Sequence, residues 1–90
     1  MSGTALILGA DLVRGVLAEL DGYDEIVVID PSVDALERLE AELADPRLDY
    51  LLGALPVLPL PDASVARVVG EFSPDDPEIA RVCVARVGGP

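Results

Sequence analysis

Two stretches of the chain, TALIL (residues 4–8) and EIVVID (residues 25–30), have apolar centres without alternation, and each leads into apolar residues at helical spacing. A strand with one face in water alternates apolar and polar side chains, so a short unbroken run reads as a strand buried on both faces. Burial on both faces requires cover on both faces. The pattern therefore predicts strands alternating with helices, in a parallel α/β sheet with right-handed crossovers.

The rest of the chain fits that scheme. Leu12, Val13, Val16, Leu17 and Leu20 recur at helical spacing from Asp11 onward, and Gly22 follows as a stop. A second helix is expected from Ser32 to Leu43, with Val33, Leu36, Leu39 and Leu43 on one side and Glu37, Arg38, Glu40 and Glu42 on the other. LDYLL (residues 48–52) reads as a third strand, GALPVLPLPDAS as a proline-rich loop, and VARVVGEF (residues 65–72) as a fourth strand. Asp76 followed by Pro77 marks a helix start, as cap and first helical residue. Beyond it, residues 81–87 fit a helical face, yet the β-branched VCVARV also suits a strand; helix is the expectation taken. The fold class expected is a three-layer Rossmann-like parallel sheet of about four strands, in the order 3-2-1-4. Ninety residues make one domain, 1–90.

Composition limits the chemistry. With no histidine, no Ser-His or Cys-His nucleophile pair and no imidazole metal site can form. The net charge of −11, carried against six arginines and no lysine, repels phosphate backbones and anionic lipid, so neither nucleic acid nor a membrane surface is expected as partner. Cys83 stands alone, which excludes an internal disulfide and suits a reducing cytoplasm. The N-terminus has no basic region before an apolar stretch, and no apolar run approaches the roughly 20 residues of a membrane span, so a soluble cytoplasmic protein is expected. Asp75, Asp76 and Glu78 form an acidic turn that reads as a cap with solvated charge rather than a metal site.

The order of LILGA, EIVVIDPS, DYLLGALPVLPLPDASVARVVG and EIARV with Gly88 and Gly89 resembles the N-terminal part of a class I S-adenosylmethionine-dependent methyltransferase, over roughly residues 5–89. The most specific piece is LPLPDASVARVV, similar to the segment leading into that family's fourth strand. The resemblance implies a truncated version of the fold, since a full methyltransferase carries further strands after the glycine pair.

It also implies where a cofactor would sit. Gly9 matches the first glycine of the family's cofactor loop, but Asp11 and Val13 stand where two more glycines belong, and Ile7 stands at the position of the acid that holds the cofactor's amino group. Asp30 matches the acid that holds the ribose hydroxyls; it is equally suited, with Pro31 and Ser32, to capping the second helix. The acid that reads the adenine amino group falls on Ala54, just after Gly53. The cofactor-binding candidates are therefore Gly9, Ala10, Asp11, Asp30, Pro31, Gly53 and Ala54, with no catalytic residue and no metal ligand among them.

Two damaged contacts of three imply a pseudoenzyme: a non-catalytic, methyltransferase-like subunit, acting as a homo-oligomer or with a heteromeric protein partner through an exposed sheet edge. The alternatives are a minimal S-adenosylmethionine-binding methyltransferase whose site is completed across an oligomer interface, and a nicotinamide-nucleotide binding fragment. The last is weakened by Asp11 and Arg14, which occupy glycine positions of the dinucleotide motif.

Overall fold

The structure, a computed structural model, describes residues 3–43, 45–55, 57–73 and 75–83. Four parallel strands form one sheet: β1 (Thr4–Leu8), β2 (Glu25–Asp30), β3 (Leu48–Leu52) and β4 (Arg67–Gly70), in the order β3-β2-β1-β4. This is the expected Rossmann-like order. Leu6 pairs with Val27 and with Val68, and Val27 pairs in turn with Asp49.

Because successive side chains of a strand point to opposite faces, β1 and β2 feed two separate cores. On the first face Ala5, Ile7, Ile26 and Val28 pack against Val13, Leu20, Leu36 and Leu39. On the second, Leu6, Val27 and Ile29 pack against Leu58, Val65, Ile79 and Val82. Ala5, Leu6 and Ile7 are completely buried, which is why their run shows no polar alternation.

The helices differ in quality. Helix α2 (Val33–Glu42) is capped by Ser32, whose hydroxyl accepts from the Ala35 N–H at 3.2 Å. Helix α3 (Pro77–Val82) has Pro77 at its start and Asp76 as cap, accepting from the Glu78 N–H at 2.9 Å. The helix expected from Asp11 to Leu20 is broken into a 3₁₀ turn (Ala10–Leu12), one α-helical turn, α1 (Val13–Val16), and a second 3₁₀ turn (Leu17–Leu20). Gly15 at its centre and the β-branched Val13 and Val16 weaken regular α-helix there. The apolar side chains nevertheless still reach the sheet.

The fourth strand is shorter than VARVVGEF suggests. Val65 makes only an isolated parallel bridge with Cys83, and Gly70 ends the strand with φ at +142°. A Cβ on Gly70 would lie 2.7 Å from the Leu8 carbonyl oxygen, so only glycine allows β4 to close on β1 there. Arg81 and Val82 are helical, and Cys83 is half-buried at the bridge; residues 84–87 and the pair Gly88 and Gly89 lie outside the described residues.

Among the described residues the second face has one short helix as cover, and Leu55, Leu58, Leu60 and Val65 of the loop between β3 and β4 complete it. Arg81 holds the two together. Its guanidinium donates to Glu78 at 2.7 and 2.8 Å, to Asp62 at 2.8 Å and to the Leu58 carbonyl at 3.2 Å. Glu78 in turn accepts from the Leu58 N–H at 2.6 Å. The Arg81 hydrogen bonds, and then that of Leu58, hold the Glu78 carboxyl down at about 2.

Two outcomes follow from this packing. Gly70→Ala should lower the unfolding free energy by about 1–3 kcal/mol, whereas Gly15→Ala, helical and with open space around it, should raise it by about 0.4–1 kcal/mol, both read by urea denaturation. Glu78, depressed in the folded state, stabilises fully above its unfolded pKa and loses that contribution as pH falls toward about 2. Glu78→Gln should therefore be less stable than the parent at pH 7, with the difference shrinking between about pH 4.5 and 2 in parallel acid titrations of stability.

Candidate functional site

In an open parallel sheet, loops at the carboxyl ends of the strands converge beside the first strand. Gly9, Asp30 and Gly53 meet there as neighbours: the Gly9 N–H donates to the Ile29 carbonyl at 2.9 Å and the Gly53 N–H to the Asp30 carbonyl at 3.2 Å. Gly9 has φ at +120°, a conformation that favours glycine, and it lets the chain turn from β1 straight into the first 3₁₀ turn.

Asp30 fastens this edge. One carboxylate oxygen accepts from the Ala10 N–H at 2.8 Å, across the strands, and the other accepts from the Ser32 N–H at 2.8 Å, within its own turn. The cap of α2 is thus Ser32, and Asp30 shapes the approach to it. Both bonds are to an acid and are of the stronger, charge-assisted kind.

A cavity of about 220 Å³ opens at this edge, lined among others by Gly9, Pro31, Gly53, Ala54 and Glu71. The seven residues singled out in the sequence therefore divide. Gly9, Pro31, Gly53 and Ala54 face the cavity. Ala10 and Asp11 border a different hollow of about 170 Å³ between the first helical segment and α2, together with Arg14, Arg38 and Glu42. Asp30 borders neither cavity and lies between them through its bond to Ala10. Gly53 is tightly placed, since a Cβ there would come within 3.0 Å of the Pro59 ring.

Glu71 escaped the sequence reading. The expected strand VARVVGEF includes it, but β4 stops at Gly70 and leaves Glu71 exposed at the cavity wall. The Gly-Glu step was the signal, because a glycine closing an apolar run often marks a strand end. Exposed apolar side chains lie at the end of β3 and in the segments that follow β2 and β3: Val33 is 52% exposed, Leu52 59% and Val57 73%.

Elsewhere, Tyr50 is half-buried, and its hydroxyl is sealed without a hydrogen-bond partner among the described residues. Burial, then Glu40 and Asp45, push that phenol up. Asp62 is exposed and pairs with Arg81. Among the described residues, no three acidic or sulfur side chains gather as a metal site, and no helix is long and apolar enough to cross a membrane.

No family model and no curated protein matches the chain. Among solved structures, it is similar to a chain assigned as a methyltransferase in its complex with the Haloferax volcanii Trm112 methyltransferase activator, with a TM-score of 0.65 and 26% identity. The match covers 73% of this chain and 30% of the other, so the chain spans under a third of that methyltransferase's length. The strand order and this likeness together give a methyltransferase-like α/β fold.

Asp30→Ala leaves the Ala10 and Ser32 N–H groups without their acceptors. It should cost about 1–3 kcal/mol of stability and speed hydrogen exchange at the Ala10 amide more than at amides of β3.

Proposed function

We propose that the chain is a methyltransferase-like module that does not itself transfer methyl groups and works in the reducing cytoplasm as a structural or regulatory subunit of a protein assembly. The observation that supports this most is the occupation of Asp30. In the family that the sequence resembles, this acid holds the ribose of S-adenosylmethionine; here each of its oxygens accepts a backbone N–H, which commits half of its four acceptor sites to the fold. Three further features point the same way. Ile7, at the position of the amino-group acid, is completely buried in the first core. Ala54 brings no side-chain acceptor to the adenine position. The cavity of about 220 Å³ is smaller than the roughly 300–1,000 Å³ of ordinary ligand pockets. These residues do not fit S-adenosylmethionine, and no transfer step is assigned to them.

The partner half of the proposal rests on the sheet. Among the described residues β3 and β4 are its terminal strands, and an open strand edge is a template for another chain. The similar methyltransferase is itself found in complex with an activator protein. A second copy of the chain would serve the same purpose.

One observation favours a second reading. Glu71, Gly9 and Gly53 share a cavity at the edge where α/β folds bind nucleotides, and a neighbouring chain placed over Val33, Leu52 and Val57 would enlarge it. On that reading the chain is a minimal S-adenosylmethionine-binding methyltransferase completed across an oligomer interface. Isothermal titration with S-adenosylmethionine, S-adenosylhomocysteine and NAD at millimolar ligand, paired with native mass spectrometry, separates the readings. The expected result is a multimer or complex with no saturable heat. Saturable heat with either adenosyl ligand, or methyl transfer to any acceptor, overturns the non-catalytic reading, and heat with NAD alone would indicate a nicotinamide-nucleotide fragment.

A further inference from the structure

We propose that a groove on the second face of the sheet, beside β3, receives a lysine or arginine side chain from an extended segment of a partner polypeptide. The proposal gives the partner of the preceding section a chemistry and rests on that reading.

The groove, of about 320 Å³, lies where the segment from Leu60 to Val65 crosses β2 and β3. Val27, Leu51, Leu60 and Val65 supply an apolar lining. Glu25 and Asp49 bring carboxylates to the same lining. In the register of the sheet Val27 lies opposite Asp49, so Glu25, Val27, Asp49 and Leu51 all belong to one face. A parallel sheet ordinarily covers such a face with apolar packing. Here two exposed acids stand on it instead.

Among the described residues their charge is not paired. Arg14, Arg47, Arg67 and Arg81 pair with Glu42, Asp45, Glu19, Asp62 and Glu78. Among the described residues no arginine reaches Glu25 or Asp49, and Glu25 accepts only from the Thr4 hydroxyl at 3.3 Å. The Ser64 hydroxyl in the same lining is buried without a hydrogen-bond partner among the described residues. A basic side chain matches this set: its aliphatic stem covers Val27 and Leu51 while its head lies between the carboxylates with N–H donors to give.

The occupant is an extended segment because β3 is a terminal strand and carries Asp49, Tyr50 and Leu51 along the groove. A strand added to that edge hydrogen-bonds through its backbone and drops alternate side chains onto the groove face. The chain's net charge of −11 favours a basic arrival over an acidic one.

The test is an amide-resolved NMR titration of the folded chain with a seven-residue threonine-valine peptide bearing one central lysine. Its norleucine counterpart and 1,4-diaminobutane are titrated alongside. The lysine peptide should shift the amides of Glu25, Asp49, Leu51 and residues 60–65, and bind about tenfold more tightly than the norleucine peptide. Asp49→Asn, an exposed change, should weaken it several-fold, as should added salt. Equal binding of the norleucine peptide, shifts confined to other surfaces, or no binding of either peptide overturns the proposal. Diaminobutane binding as tightly as the peptide overturns the polypeptide occupant in favour of a free amine. S-Adenosylmethionine added to the same sample tests the other reading separately, because saturable shifts at Gly9 and Ala10 would appear at the opposite end of the strands.

Discussion

Strand β1 lies between β2 and β4 with Ala5, Leu6 and Ile7 fully buried, and that double burial sets the terms for everything around it. Both sheet faces then need cover. The first face has ordinary cover, from the helical segment at residues 10–20 and from α2. Among the described residues the second has the six-residue α3 and a proline-rich segment of turns and isolated bridges. Such a segment stays on a core only if something fastens it. Arg81 and Glu78 do so by bonding both the N–H and the carbonyl of Leu58, whose own side chain is buried in that core. A partly buried ion pair contributes little when its lone pairs and protons are left over. This one uses them on the backbone of the segment it holds.

How much of this was legible depended on which forces leave a period in the sequence. Burial on both faces writes continuous apolar runs, so β1 and β2 could be placed to the residue, while β3, where only Leu48 is buried, is marked by the composition of LDYLL alone. The segment after β1 was legible as a buried face but not as a hydrogen-bond pattern. Val13, Val16, Leu17 and Leu20 lie on one side of either an α-helix or a series of 3₁₀ turns, because spacings of three and four serve both. The Arg81 brace left no trace, since it joins residues 19 to 23 positions apart through single side chains. The end of β4 differs from the expectation for a related reason: Gly70 stops the strand by a backbone angle, while Glu71 and Phe72 still suit the alternation of a strand.

The candidate site was legible in its location and not in its wiring. Parallel strands bring their carboxyl ends together whatever their side chains, so Gly9, Asp30 and Gly53 had to become neighbours once the strand order was fixed. The role of Asp30 was open between ligand and helix cap. It proved to be a third thing, a carboxylate joining the loop after β1 to the turn after β2, which requires knowing where the Ala10 N–H points.

That wiring bears on why a loop without its glycines can persist. In a ligand-dependent loop the bound molecule supplies the hydrogen bonds that order the backbone, and the free protein bears the entropy of keeping it loose. Here Asp30 supplies them from within, so the loop is ordered whether or not anything binds. For a small sheet with a thin second layer, a permanent internal bond of this kind contributes directly to a narrow stability margin. Within this loop glycine is then needed only at Gly9, where φ is positive, and the following positions carry the buried Ala10 and the exposed Asp11. Those two side chains border the hollow beside α2, apart from the cavity that Gly9 and Gly53 line, so the loop is ordered by the fold's own bonds at a place where the resemblance would put a ligand.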